Sequence, residues 1–67
     1  MEEQQKYELL KLPEVIKMVH YTKPSIYRLI AEGIFPKPIK LGGRSVFWVK
    51  SDVEDFIQKS IDESKLA

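Results

Sequence analysis

The stretch that decides the fold is TKPSIYRLIAEG, which occupies residues 22–33. Thr22 is of a residue type that caps helix N-termini, and Pro24 is tolerated within a first helical turn. The apolar residues that follow recur at helical spacing: Ile26, Leu29 and Ile30. Because Gly33 can adopt the left-handed conformation that ends helices, the stretch predicts a helix over residues 23–32.

A second amphipathic pattern lies directly upstream. Its apolar residues fall on one helical face: Leu12, Val15, Ile16 and Val19. Pro13 fits the first turn, so the pattern predicts a helix over residues 13–19. Only a short turn near His20 and Tyr21 separates this helix from the next. Two helices joined in this way form a helix-turn-helix.

A β-hairpin is predicted after the second helix. The segment 36–38, Pro-Lys-Pro, excludes helix and favours extended backbone, and Gly42-Gly43 then separates two alternating runs, 39–41 and 44–49. With the two glycines as a two-residue loop, the register pairs Leu41 with Arg44, Lys40 with Ser45, and Ile39 with Val46. This register predicts an inward face of Ile39, Leu41, Val46 and Trp48. It predicts an outward face of Lys40, Ser45 and Phe47.

A third helix is predicted over residues 52–61. Ser51 and Glu54 have the spacing of a capping box, and apolar residues follow at helical intervals: Val53, Phe56, Ile57 and Ile61. The complete order predicts a small α+β winged helix-turn-helix: helix-turn-helix, two-stranded β-hairpin wing and C-terminal helix. We expect a single domain over residues 9–61, with flexible tails at 1–8 and 62–67.

Composition restricts the class of protein. The 67 residues include no cysteine, which excludes disulfides and thiolate metal sites. No apolar run is long enough to span a bilayer, and the acidic, polar N-terminus is unlike a signal peptide. A cytoplasmic protein without cofactor or metal is therefore expected.

The charge is unevenly distributed along the chain. Residues 11–50 contain eight cationic and two acidic side chains, for a net charge of +6, whereas residues 1–10 carry −2 and residues 51–67 carry −3. A basic middle with acidic flanks is typical of a protein that binds a polyanion. Solvated lysines scattered over several faces are the alternative explanation.

The second helix carries the candidate recognition surface. At 100° per residue its outer face presents Pro24, Arg28 and Ala31, with Ser25 and Tyr27 at the flanks. Small residues, a guanidinium and hydroxyls suit the major groove of DNA. The predicted DNA-binding residues are Thr22, Lys23, Ser25, Tyr27, Arg28, Lys37, Lys40 and Arg44. We predict that bases are contacted by Arg28, Ser25 and Tyr27. Lys23 is predicted to bind a phosphate at the helix N-terminus, and Arg44 to reach a minor groove or the backbone beside the wing.

Several of these residue blocks resemble the AlpA family of prophage regulatory proteins. They are LPEV at 12–15, SIYRLIAEG at 25–33, FPKP at 35–38, KLGGR at 40–44, and Trp48. The family is similar in turn to phage excisionases and to the DNA-binding headpiece of MerR-type regulators. The resemblance implies a DNA-binding transcriptional regulator of an integrated element, often acting on an integrase gene, or an excisionase that bends DNA. In the turn, such proteins usually have Gly-Leu-Ser-Arg-Ser, and here His20 replaces the glycine.

Alternative interpretations exist for the site and for the whole chain. Tyr27 is of a type that packs at helix flanks, and Arg28 has the spacing to pair with Glu32. The chain as a whole is alternatively an adaptor or inhibitor that docks another regulator or an integrase. An enzyme is disfavoured, because His20 and Ser25 have no placed acid. The expected partners are double-stranded DNA, and an integrase or further copies of the chain on DNA. A monomer is expected in solution, because no long coiled coil is present.

Overall fold

The computed structural model describes residues 7–66, Leu66 by its backbone alone. The predicted tail over residues 1–6, and Ala67, lie outside the described residues. In chain order the elements are β1 (Leu9–Leu10), α1 (Leu12–Val19), α2 (Lys23–Ala31), β2 (Ile39–Leu41), β3 (Ser45–Val49) and α3 (Lys50–Leu66). A helix-turn-helix followed by a hairpin and a closing helix confirms the predicted α+β winged helix-turn-helix.

The turn between α1 and α2 depends on an unusual backbone conformation. His20 ends α1 in the left-handed region, with φ 61° and ψ 31°, and its N–H donates to the carbonyl of Ile16 at 2.7 Å. This is the position at which histidine replaces the family's glycine. A side chain in that region costs roughly 1–2 kcal/mol relative to glycine. The chain therefore makes the expected sharp turn with a strained residue.

Helix α2 begins and ends as the sequence predicts, to within one residue. The Thr22 hydroxyl oxygen accepts a hydrogen bond from the Ser25 N–H at 3.4 Å, which caps the N-terminus. At the other end Gly33 has φ +77°, and its N–H donates to the carbonyl of Ile30 at 3.0 Å. Both ends of the helix are thus fixed by local bonds.

The predicted two-stranded hairpin is present as β2 and β3, and a further strand, β1, joins it to form a three-stranded antiparallel sheet. The strand order is β1-β3-β2, with Leu9 opposite Val49 and Leu10 opposite Trp48. A strand of two residues leaves no alternation in the sequence that would reveal it. The additional strand gives β3 a partner on each side.

The predicted hairpin register was wrong by one residue. Leu41 pairs with Ser45, Lys40 with Val46, and Ile39 with Phe47. Gly42 and Gly43 both have positive φ, at 66° and 83°, and Arg44 joins them in a three-residue loop. Because side chains alternate along strands, a shift of one residue on β2 turns each of its side chains to the other face.

The corrected register exchanges the two faces of β2. Lys40 lies on the face that bears Val46 and Trp48, where the sequence had placed Ile39 and Leu41. Ile39 and Leu41 lie instead on the face of Phe47, and they are 38% and 45% exposed. The predictions for Val46, Trp48, Ser45 and Phe47 hold, because β3 keeps its alternation.

Helix α3 is longer than predicted at both ends. It begins at Lys50 directly after β3, and the Lys50 N–H donates to the carbonyl of Glu8 at 2.8 Å. Ser51 therefore lies inside the helix, and the predicted cap at that residue was wrong. The helix continues to Leu66 and not to residue 61. No glycine or proline follows Ile61 to stop it.

Five buried residues form the core: Val15 of α1, Ile26 of α2, Trp48 of β3, Val53 of α3, and Phe35 from the segment between α2 and β2. The indole Nε1 of Trp48 donates to the carbonyl of Pro36 at 3.1 Å. Phe35 packs edge-on against Phe56, with 4.8 Å between ring centroids. Each fully buried apolar side chain contributes roughly 1.5–3 kcal/mol. Across residues 7–66, no helix is both long and apolar enough to cross a membrane.

Candidate nucleic-acid interface

The outer side of α2 is exposed along its length. Ile26 is fully buried beneath it. Pro24, Arg28 and Ala31, which the periodicity placed on the outer face, are exposed. Tyr27 at the flank and Lys23 at the N-terminus are exposed as well. Ser25 is half-buried at the flank. The helix thus presents a surface with two cations, one aromatic ring and no carboxylate.

The N-terminus of α2 offers fewer backbone donors than a generic helix end. Pro24 has no N–H, the Ser25 N–H is bonded to the Thr22 hydroxyl, and the Ile26 N–H is bonded to the Thr22 carbonyl. In the first turn this leaves the N–H of Lys23, which forms no bond within residues 7–66. An anion at this end would therefore be held by the ammonium and the single N–H of Lys23.

The two hydroxyls at this end have different roles. The Thr22 hydroxyl donates to Ser25 Oγ at 3.0 Å and also accepts from the Ser25 N–H. Both hydrogen-bonding functions of Thr22 are therefore used in capping. Ser25 Oγ acts as an acceptor in that bond, and its own proton remains available to a phosphate oxygen or a base acceptor.

Arg28 is exposed on the last turn of α2. The alternative ion pair with Glu32 is not formed among the described residues. The guanidinium is thus open to a ligand, and its five donors can bind a guanine edge or a phosphate in bidentate fashion.

The sequence leaves two roles open for Tyr27, packing at the helix flank and contact with DNA, and its position in the structure is compatible with both. Its ring packs edge-on against Trp48, with 6.3 Å between centroids and 63° between planes. Tyr27 nevertheless remains 40% exposed. One edge of the side chain therefore joins α2 to the wing while the rest faces solvent.

The observed register places Lys40 on the same face of the hairpin as Trp48. Lys40 stands opposite Val46 on the face of the hairpin that also bears Trp48, and Trp48 is the residue that Tyr27 contacts. The outward position that the sequence predicts for Lys40 is thus corrected to the face that bears Val46 and Trp48. Arg44 lies in the loop at the tip, and both cations are exposed.

Lys37 lies apart from these residues in the segment between α2 and β2. It is exposed, and no bond of the described residues draws it toward α2 or the wing tip. Lys23 and Arg28 thus lie on α2, Lys40 on β2 and Arg44 in the wing loop, whereas Lys37 lies outside these elements.

The cations of α2 and the wing are electrostatically uncompensated within the described residues. The ion pair that the described residues do form does not involve these cations. It joins Lys50 Nζ and Glu8 Oε1 at 3.0 Å. The pKa of Lys50 is raised above its ordinary value. The largest cause is the hydrogen bond with Glu8, followed by the negative charges of Glu8 and Glu54. Unpaired surface cations around one helix and one loop are suited to bind a chain of phosphates.

Sequence reasoning missed the support behind this surface. Trp48, which positions Tyr27, is itself held by the carbonyl of Pro36, twelve residues away. A bond between a side chain and a distant carbonyl leaves no periodic signal. Within residues 7–66 no group of three or more histidine, aspartate or glutamate side chains could hold a metal ion.

Comparison with known proteins identifies relatives of phage origin. A family model described as prophage CP4-57 regulatory protein (AlpA) matches residues 8–61. An uncharacterized protein, ORF88 of Enterobacteria phage P4, is 41% identical over 44 residues. That alignment covers 66% of this chain and 50% of ORF88, so the chain spans about half the length of this relative. No solved structure matches the chain.

Proposed function

This chain belongs to the AlpA family of prophage regulatory proteins, and we propose on that premise that it binds duplex DNA sequence-specifically to regulate a gene of an integrated element. The observation that carries the proposal is the exposed outer side of α2, on which Arg28 forms no ion pair among residues 7–66. Lys40 lies on the face of the hairpin that bears Trp48, and Arg44 lies in the loop at the wing tip. We place this activity in the cytoplasm of the host, where the integrated DNA lies.

The major groove of DNA is the site that α2 fits. Arg28 binds a guanine edge or a phosphate, Ser25 donates its hydroxyl proton, and Ala31 leaves room for close approach. Tyr27 contributes from the flank. Thr22 acts indirectly, because its hydroxyl is used to hold Ser25 and the start of the helix.

The phosphate backbone is bound on both sides of that groove. Lys23 binds a phosphate at the start of α2, and Lys37, Lys40 and Arg44 bind along the wing. Arg44 extends from a loop whose two glycines carry no side chain, so it can reach a minor groove or the backbone. These contacts fix the register of α2 on the duplex.

The regulated process involves an integrase in either of two ways. As a transcriptional regulator, the protein acts on an integrase gene; as an excisionase, it bends attachment-site DNA together with the integrase or with further copies of itself. Both activities use the same DNA surface. They are distinguished by comparing transcription from the element's promoters with excision in a reconstituted reaction.

The direct test of DNA binding is fluorescence anisotropy on random-sequence duplex DNA across a salt series. About five phosphate contacts predict a slope of log K against log salt on the order of −4. Removing one contacting cation with Lys40→Gln should make the slope shallower by about 0.9. Lys59→Gln removes the same charge from α3, outside the proposed surface, and serves as the matched control.

Each outcome of this experiment bears on the proposal. A steep slope that Lys40→Gln alone reduces supports DNA binding through α2 and the wing. Equal slopes for both variants would reject the wing as a contact. Undetectable binding at low salt would reject the function and favour the alternative adaptor that docks an integrase or another regulator.

A further inference from the structure

Helix α3 extends beyond the core that it closes. Val53 is fully buried, and Phe56 and Ile57 are half-buried against the core. Ile61, one turn further on, continues the apolar stripe but is 43% exposed. A helix end in water is marginally stable unless its apolar face is packed. Within residues 7–66, the last two turns of α3 therefore have no packing partner for the face that bears Ile61.

An apolar groove accompanies this face. It lies between the C-terminal end of α1 and the C-terminal half of α3 and has a volume of about 450 Å³. Its walls are mostly apolar: Met18, Val19, Tyr21, Phe56, Ile57 and Ile61, with Ser60, Ser64 and Lys65 at the far end. The residues that line the groove include none of the proposed DNA-binding residues.

We propose that α3 of a second copy of this chain fills the groove, antiparallel to the first and related to it by a two-fold axis. The spacing of the apolar residues Ile57 and Ile61 supports this antiparallel arrangement. At 100° per residue, Ile57 and Ile61 lie about 40° apart on the helix and form one narrow ridge. In an antiparallel pair, Ile57 of each copy packs against Ile61 of the other.

The charges flanking the ridge are self-complementary in this register. Glu54 and Lys65 lie about 20° and 40° from Ile61, on the same side of the ridge. When Ile57 lies opposite Ile61 of the second copy, Glu54 lies almost opposite Lys65 of that copy. The offset between them is one residue, or about 1.5 Å along the helix axis. Both side chains are exposed, and neither forms an ion pair within residues 7–66.

This complementarity is what selects a second copy over another apolar helix. The two-fold axis produces the contact twice, so one helix supplies both the acid and the base that its partner needs. The sequence indicates a monomer, because it shows no coiled coil and predicts a helix that ends at residue 61. The longer α3 changes that expectation. A single helix pair buries less than the roughly 1,200 Å² of a standard interface, so the dimer is weak.

Sedimentation equilibrium of the full chain, from about 10 μM to about 1 mM, tests the dimer in the range of weak association. Wild-type protein should show a monomer–dimer equilibrium. Ile61→Glu, and Lys65→Glu, which faces Glu54 with a like charge, should each weaken association tenfold or more. Lys59→Glu makes the same charge change about 160° away from Ile61 around α3 and should leave association unchanged.

The double variant Glu54→Lys/Lys65→Glu should restore association, because both ion pairs reform with reversed sign. A monomeric wild-type protein at the highest concentration would overturn the proposal. So would equal effects of Lys65→Glu and Lys59→Glu, or a double variant that stays as weak as Lys65→Glu. Circular dichroism checks that each variant is folded. Binding of Ile61→Glu to DNA with a single site should equal that of wild type, which separates this proposal from the proposed function.

Discussion

The ring of Tyr27 meets the ring of Trp48 edge-on, with 6.3 Å between centroids. Tyr27 belongs to α2 and Trp48 to β3, so this contact joins the proposed recognition helix directly to the wing. Trp48 is fully buried and donates to the carbonyl of Pro36 at 3.1 Å. The wing is thus positioned against α2 through one fixed aromatic side chain.

Replacing Tyr27 should separate packing from DNA contact. Tyr27→Ala removes the aromatic pair and should lower the free energy of unfolding by about 1–2 kcal/mol. Tyr27→Phe keeps the ring and should leave stability nearly unchanged. Urea unfolding followed by the fluorescence of the single tryptophan, Trp48, measures both. An unchanged midpoint for Tyr27→Ala would show that the ring contact does not stabilise the fold.

The DNA affinity of the same two variants is informative. If Tyr27→Phe binds duplex DNA like wild type while Tyr27→Ala binds more weakly, the ring acts by holding α2 against the wing. A loss in Tyr27→Phe would assign the hydroxyl to a DNA contact.

The helix-turn-helix could be predicted from the sequence because its signals are local. Thr22 caps the helix that begins at Lys23 by accepting from the Ser25 N–H, and Gly33 ends it by donating to the carbonyl of Ile30, and each of these two bonds spans three residues. The α2 surface followed from the same periodicity. The short connection between the two helices was predicted as well, and its sharp reversal occurs at His20, which has a positive φ.

The wing could be predicted only in part. A Gly-Gly pair is compatible with loops of two or three residues, and here Arg44 joins the loop, which reverses the faces of Ile39, Lys40 and Leu41. The choice is made by packing across the sheet and not by the loop sequence. The site prediction for Lys40 thus rested on an incorrect face of the hairpin.

His20 offers a test of stored backbone strain. Because its φ is +61°, His20→Gly should relieve roughly 1 kcal/mol and raise the free energy of unfolding. Glu32, the C-cap of α2, has φ −84°, so Glu32→Gly should destabilise by a few tenths to 1 kcal/mol. Denaturant unfolding of the two variants measures the contrast. Destabilisation by both would show that the side chain of His20 contributes more than its strain costs.

The ion pair between Lys50 and Glu8 predicts a dependence of stability on alkaline pH. The hydrogen bond and charge of Glu8 raise the pKa of Lys50 above its ordinary value of 10.5, and Glu54 adds a smaller effect. A raised pKa in the folded state stabilises the fold at pH values below the ordinary pKa. That stabilisation is lost as the pH rises through the raised value.

Glu8→Gln should therefore lower the pKa of Lys50 toward its ordinary value, and Glu54→Gln should lower it less. The side-chain resonances of Lys50, followed by NMR from neutral to alkaline pH, measure the pKa directly. Thermal unfolding at neutral pH should show a lower midpoint for Glu8→Gln, and the difference from wild type should shrink as Lys50 loses its proton. A larger pKa change in Glu54→Gln than in Glu8→Gln would contradict the assigned cause.

Arg28 and Arg44 should affect DNA binding in different ways. Arg28 lies on the outer side of α2, so Arg28→Ala should cost about 1–3 kcal/mol on the preferred DNA site and relax base preference. Arg44 lies in the wing loop, so Arg44→Ala should weaken binding to all sequences alike and make the salt slope shallower by about 0.9. Selection of binding sites from random DNA, followed by anisotropy on the selected and random duplexes, distinguishes these effects. Because neither guanidinium forms an ion pair within residues 7–66, both variants should unfold like wild type. If Arg28→Ala kept wild-type base preference, α2 would not be the element that reads the sequence, and the recognition surface would have to be sought on the wing.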